Sequence, residues 1–251
     1  MIISDEISIV IPAKEEEGSI GKVVTAANLY SNDVIVVLHS QDLKTLNAIS
    51  NKATRIVYCD LPGKGVAMRA GVAAAKHRVI VFLDADGSHN PSDIPNLVAP
   101  ILDGEAEHVA GSRMLGGSSE LFYTFSEFIR LVGNHAITLV LNYKYKVRLT
   151  DSQNGYRAML KETFEKLNPL AKHSTIEQEL TTKSLELGVR FMEIPTHEYA
   201  RRTGISKIST WKDGKKHVLF LIKTIVKPRR RVHGFTPISE DVKLKYFGDW
   251  G

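Results

Sequence analysis

The chain has little with which to cross-link itself or span a bilayer. One cysteine, Cys59, stands among 251 residues, which excludes an intramolecular disulfide, and nothing points to an oxidising compartment. No apolar run approaches the roughly 20 residues that cross a bilayer. The start, Met1-Ile2-Ile3-Ser4-Asp5-Glu6, has neither the basic residues nor the apolar stretch expected of a secretory leader. Internal repeats and low-complexity tracts are also lacking. What is there is an ordinary globular composition, 43% hydrophobic and 24% charged, which excludes collagen-like and wholly disordered chains. The length suits one large domain with a sizeable core, alone or with an appendage.

The net charge of +5 conceals an asymmetry. Between Arg201 and Arg231 eleven basic residues face a single acid, Asp213, so this segment is +10 and the rest of the chain is −5. A mildly acidic body with a strongly basic end implies an anionic partner: lipid headgroups, a phosphate-bearing substrate or nucleic acid. The bland reading is a solvated charged face.

Apolar β-branched runs alternate with helical patterns through the first 110 residues. Ile7–Pro12, Val34–Leu38, Arg55–Tyr58, Val79–Leu83 and a run around Val109-Ala110 read as strands; Ser19–Tyr30, Asp42–Asn51 and Lys64–Lys76 read as helices. Such alternation predicts an α/β layer structure around a parallel sheet. Further on, helices are expected over Phe125–Asn142, Glu177–Leu187 and Trp211–Val226, and strands over Tyr156–Leu160 and Phe191–Ile194. The tail from Arg229 has no clear period; it could dock on the body, pair with another subunit as a homo-oligomer, or stay mobile. The division expected is a catalytic domain over 1–210, then a basic amphipathic helix and tail over 211–251.

Two short motifs suggest phosphate chemistry. Val81-Phe82-Leu83-Asp84-Ala85-Asp86-Gly87 ends a buried strand in two carboxylates at i and i+2. Ligands of open α/β sheets sit at carboxyl strand ends. Paired carboxylates there repel unless a cation neutralises them, and a hard Mg²⁺ or Mn²⁺ ion bridging to phosphates suits the role; capping or turn aspartates are the bland reading. Gly63-Lys64-Gly65 at a helix start offers backbone N–H groups and a cation to phosphate. It lacks the spacing of a Walker loop, which disfavours that class of nucleoside triphosphatase; a plain loop with an exposed lysine is its bland reading.

The ordered set of motifs is more specific than any member. Ile7–Pro12 with Glu15-Glu16-Glu17, Gly63-Lys64-Gly65, Asp84-Ala85-Asp86, Gly111-Ser112-Arg113, Arg130 with Gly133-Asn134, Asp151-Ser152-Gln153-Asn154-Gly155-Tyr156-Arg157, Glu177-x-Glu179 and Arg202-x-Gly204-x-Ser206-Lys207 follow one another in that order. Together they resemble the family 2 glycosyltransferases, in the branch of dolichyl- or polyprenyl-phosphate sugar transferases. The resemblance runs from about Ile7 to Val226. It implies a GT-A fold, a GDP- or UDP-sugar donor, a divalent metal and an inverting displacement.

By that resemblance, Pro12, Ala13, Glu16, Lys64 and Ala85 line the donor site, and Asp84 and Asp86 hold the metal. Arg113 and Arg130, with Asn134, take the acceptor phosphate. Arg202 and Lys207 bear on the donor phosphates, and Gln153 and Glu177 shape the sugar and acceptor side. A phosphate acceptor is already anionic and needs positioning more than deprotonation. A hydroxyl acceptor would need a base, for which Asp151 and Glu179 are candidates beside the metal-binding Asp86. One departure concerns the donor's base: where the family has paired acids after the second strand, this chain has His39-Ser40-Gln41-Asp42.

The expected activity is therefore metal-dependent sugar transfer from a nucleotide sugar to a polyprenyl phosphate, with the basic helix peripheral at the cytoplasmic face of an anionic membrane. The alternative acceptor is a soluble or saccharide hydroxyl. A nucleotidyltransferase is disfavoured because Pro12–Glu17 provides no glycine-rich loop with a catalytic basic residue. A nucleic-acid partner is not expected, since only net charge speaks for it.

Overall fold

The computed structural model describes residues 4–50, 54–119, 125–200, 210–226, 234–237 and 245–246. In chain order the elements are β1 (Ser4–Pro12), α1 (Ile20–Ala27), β2 (Ser31–Leu38), α2 (Leu43–Asn47), β3 (Arg55–Tyr58), α3 (Lys64–Ala74), β4 (Val79–Phe82), a 3-10 turn (Pro91–Asp93), α4 (Ile94–Leu102), β5 (His108–Ser112), α5 (Arg113–Gly116), α6 (Phe125–Tyr145), β6 (Arg157–Leu160), α7 (Lys161–Leu167), α8 (Ile176–Glu186), β7 (Phe191–Pro195), α9 (Thr210–Val226) and β8 (Phe235–Thr236).

The strands form one sheet in the order β3-β2-β1-β4-β6-β5-β7-β8. Neighbours are parallel except that β6 runs antiparallel to both β4 and β5. This is the mostly parallel, helix-flanked sheet expected of a GT-A fold, with one reversed strand that the apolar pattern of Tyr156–Leu160 could not orient.

The two-residue period of the strands sorts the core into two layers. Ile9, Ile11, Val34, Val36, Val79 and Val81 pack on one face with Val24 of α1 and Leu97 of α4. Val10, Ile35, Val37, Ile80 and Phe82 pack on the other with Met68 of α3, Phe164 of α7 and Leu180 of α8. Burial on both faces is why these strands read as continuous apolar runs. A third cluster joins Ile137, Leu141 and Tyr145 of α6 to Phe191, with Leu221 of α9 and Phe235 of β8 packed against it. In the tail, Phe235 lies 5.9 Å from Phe191 between ring centroids, and β8 pairs with β7. The described part of the tail therefore docks on the body.

The chain leaves β1 towards β2 and β3, then returns to place β4 on the other side of β1. The carboxyl ends of β1 and β4 thus meet at the point where strand order reverses, where ligands of open α/β sheets bind.

Candidate active site

Two polar groups lie along the loop 151–156, Gly155 abutting one and Asp151 belonging to the other. The first is at the end of β4. The Lys64 ammonium, on the first residue of α3, lies 2.6 Å from Asp84 Oδ1 and 2.8 Å from Glu177 Oε1 of α8. Burial alone would lower the lysine's pKa, but attraction by Asp84 and Glu177 overrides it and raises the value. Gly155 closes this group from above: a Cβ there would stand 2.8 Å from Lys64 Nζ and 2.9 Å from Asp84 Oδ2. Asp86 is buried beside it, and its Oδ1 accepts from Ser88 Oγ at 2.7 Å and Ser88 N at 3.0 Å. His89 backs the turn. Its ring stacks on Tyr156 at 4.7 Å, and its Nδ1 accepts from the Asp84 amide at 3.3 Å.

The loop after β1 is tied into the same place. Ala13 N donates to Val37 O at 2.8 Å and Glu16 N to Thr45 Oγ1 at 2.9 Å. Ser19 Oγ donates to Ala85 O at 2.8 Å. The loop from Pro12 to Ser19 is thus tied to the Asp84–Asp86 turn through Ser19. Asp42, the acid that follows the second strand, caps α2 and accepts from Glu15 N at 2.7 Å.

The second group surrounds Arg113. Asp151 takes its guanidinium in a two-pronged grip, Nε to Oδ2 at 2.6 Å and Nη2 to Oδ1 at 2.9 Å. Glu198 approaches Nη1 at 3.4 Å. Burial would raise the Asp151 pKa, but Arg113 outweighs it and holds the carboxyl below its usual range. Beneath lies Glu193 of β7, accepting from Thr150 N at 2.7 Å and Asp151 N at 2.9 Å. Burial pushes Glu193 up to about 7 despite these bonds. Arg157, fully buried, completes the support: it donates to Asn154 O at 2.6 Å, Thr181 Oγ1 at 2.8 Å and Ser152 O at 3.0 Å.

The structure thus brings together Lys64, Asp84 and Glu177, with Asp86 alongside, and separately Arg113 with Asp151. Gln153, in the same loop, donates its backbone N–H to Asp151 Oδ1 at 3.2 Å. Its side-chain Nε2 and Glu177 Oε2 are buried without a hydrogen-bond partner, which leaves polar atoms for a ligand at the position expected to shape the sugar side. Asn134 lies on α6 one turn before Thr138, whose hydroxyl meets Ser152 Oγ at 2.9 Å. Arg113 departs from the expected free fork, because acids already occupy it. Glu179 is not brought into the group; its oxygens accept from Leu170 N and Ala171 N. The Arg130 side chain and all of Arg202 and Lys207 lie outside the described residues. Glu193 and Glu198 were not anticipated, although an acid inside the apolar strand Phe191–Pro195 is a signal that could have found Glu193.

Among the described residues no three His, Cys, Asp or Glu side chains form a ready metal cage. Two carboxylates nevertheless match a hard divalent ion that takes its remaining ligands from substrate phosphates and water, as Mg²⁺ commonly does. The donor chemistry of Asp84 and Asp86 therefore fits such an ion.

Residues 8–167 match the family model described as glycosyl transferase family 2. A dolichyl-phosphate hexose transferase of Haloferax volcanii is 22% identical over 230 residues, covering 91% of this chain and 97% of that protein. An undecaprenyl-phosphate mannosyltransferase of Micrococcus luteus is 32% identical over 135 residues, 52% of this chain and 53% of that protein. Among solved structures, glucosyl-3-phosphoglycerate synthase from Mycobacterium tuberculosis, crystallised with Mn²⁺, UDP and phosphoglyceric acid, superposes with a TM-score of 0.71. It is 20% identical and covers 88% of this chain and 79% of that one.

Proposed function

Because the chain belongs to glycosyl transferase family 2, and is thus a nucleotide-sugar-dependent glycosyltransferase, we propose that it transfers a sugar to a polyprenyl phosphate at a membrane surface. The observation that carries the lipid acceptor is the outer face of two adjoining helices. On α6, Val132, Leu139 and Tyr143 are exposed; on α9, Val218, Leu219, Ile222, Ile225 and Val226 are exposed. The helices touch each other, and each presents a stripe of exposed apolar side chains of the kind that marks an interaction surface. The chain then continues into Lys227 and Arg229-Arg230-Arg231, a charge pattern suited to anionic headgroups. Among the described residues no helix is long and apolar enough to cross a membrane. Relatives acting on dolichyl and undecaprenyl phosphates support the same acceptor.

In this reading the donor's diphosphate lies over the β1 and β4 ends. Asp84 and Asp86 would hold a divalent ion that, when bound, stabilises charge on the departing nucleoside diphosphate. Lys64 orients Asp84 and places a cation beside the phosphates. Gly155, lacking a Cβ, lets the loop seat closely against Lys64 and Asp84. The free atoms of Gln153 and Glu177 bond sugar hydroxyls. Arg113 orders Asp151 and the acceptor side, and Arg202 and Lys207 bear on the phosphates. The acceptor phosphate attacks the anomeric carbon opposite the leaving group, inverting it, with no strong base required.

The test is product formation from GDP- and UDP-sugars with Mg²⁺ or Mn²⁺, offering polyprenyl phosphate, 3-phosphoglycerate and simple saccharides in parallel. Sugar transfer to the lipid, lost in Asp86→Ala with the fold retained, is the expected result. Transfer only to a soluble acceptor would replace the lipid reading.

A further inference from the structure

Glu179 sits two residues beyond Glu177 on α8, about 200° further round a helix that turns 100° per residue. Glu177 reaches Lys64 directly. Glu179 points to the other side, into the segment between α7 and α8. Its carboxylate accepts from Leu170 N at 3.0 Å and from Ala171 N at 2.6 Å, and pairs with Lys183 at 2.8 Å.

That segment is the surface on which the Lys64 backbone rests. Gly65 N donates to Lys172 O at 2.9 Å. From α3, Arg69 Nη1 donates to Ala171 O at 2.8 Å and Pro169 O at 3.2 Å. A Cβ on Gly63 would overlap the Lys172 carbonyl oxygen, and one on Gly65 the Ala171 carbonyl oxygen. Gly63 also has φ +124°, a conformation side chains disfavour. The glycines on each side of Lys64 therefore let α3 seat against a backbone that Glu179 holds.

We propose that Glu179 is a positioning residue for Lys64: it fixes residues 170–172, against which Gly63 and Gly65 dock, and so sets where the lysine's ammonium meets the donor phosphates. This rests on the reading of Lys64 as part of the donor site. It assigns the Glu177-x-Glu179 pair two different tasks, direct contact and support, and removes Glu179 from acid–base chemistry.

The experiment is calorimetric binding of GDP and UDP with Mg²⁺ to wild type, Glu179→Gln, Lys64→Met and the double variant. Glu179→Gln should weaken nucleotide binding about tenfold, and the same change in the Lys64→Met background should cost less than about twofold, because the contact it supports is gone. Equal losses in both backgrounds, or no loss in the first, overturn the inference while leaving the donor-site reading intact. Wild-type protein that binds neither nucleotide overturns the donor-site reading and the inference with it. Mass-spectrometric acylation of Lys64 gives a readout independent of ligand. The lysine should react slowly in wild type and several-fold faster in Glu179→Gln and in Gly65→Ala, which displaces the same segment from the opposite side. Unchanged labelling in both folded variants overturns the inference.

Discussion

Replacing Asp151 by alanine separates a clamp from a catalyst. In the structure its two oxygens grip Arg113 at 2.6 and 2.9 Å, and the Asp151 and Arg113 side chains are 4% and 16% exposed. Removing one partner of a buried pair leaves an uncompensated charge and typically costs about 3–5 kcal/mol. Glu198, 3.4 Å from Nη1, stays behind and absorbs part of the loss, so about 3 kcal/mol is expected for Asp151→Ala. Asp151→Asn keeps one good acceptor and should cost about 1–2 kcal/mol. For a chain of this size about 3 kcal/mol lowers Tm by roughly 6–12 °C. Denaturant unfolding with a constant m-value measures it, and the loss should persist in high salt because the pair is shielded from water. The double variant Arg113→Met/Asp151→Leu should be less destabilised than the two single changes summed. A loss under about 1 kcal/mol combined with a hundredfold fall in kcat would refute the clamp and make Asp151 a base, despite a carboxyl that Arg113 keeps below its usual pKa.

Two further outcomes are expected. Glu193, raised by burial to about 7 from an ordinary 4.5, binds its proton more tightly in the folded state. Its contribution is therefore fully present below pH 4.5 and is lost as pH rises through 7, an upper limit of about 3 kcal/mol. Stability of wild type relative to Glu193→Gln should fall between pH 5 and pH 8; a difference independent of pH would show that Glu193 does not titrate there. Binding to anionic liposomes should drop steeply with salt and disappear when Arg229, Arg230 and Arg231 are neutralised, whereas salt-insensitive binding would remove electrostatics from the membrane reading.

Much of the fold was legible because strands buried on both faces leave unbroken apolar runs. Arg55–Tyr58 is found as read. β1 and β2 extend beyond their apolar cores to Ser4 and Ser31, because polar residues at sheet margins also pair. The helices α4 and α7 were not read from the chain. α4 is mostly apolar and contains Pro100, which disguises its period. α7 spans seven residues, too few to display one. β8 has two residues and owes its existence to the β7 edge and to Phe191 rather than to any local preference.

By itself the sequence determined the family and the layer class, because these depend on local patterns: carboxylates after a buried strand, a lysine between glycines, an ordered chain of motifs. Only the tertiary structure decided how those residues divide the work. Glu177 and Glu179 are two positions apart and look equivalent in the chain, yet one meets Lys64 and the other holds the segment behind it, since a helix turns them to opposite sides. Arg113 reads as a free phosphate fork until folding sets Asp151 and Glu198 against it. Pairings between residues 38 or 85 positions apart leave no local trace; they exist because the strand order brings β5, β7 and the 151–156 loop to one place.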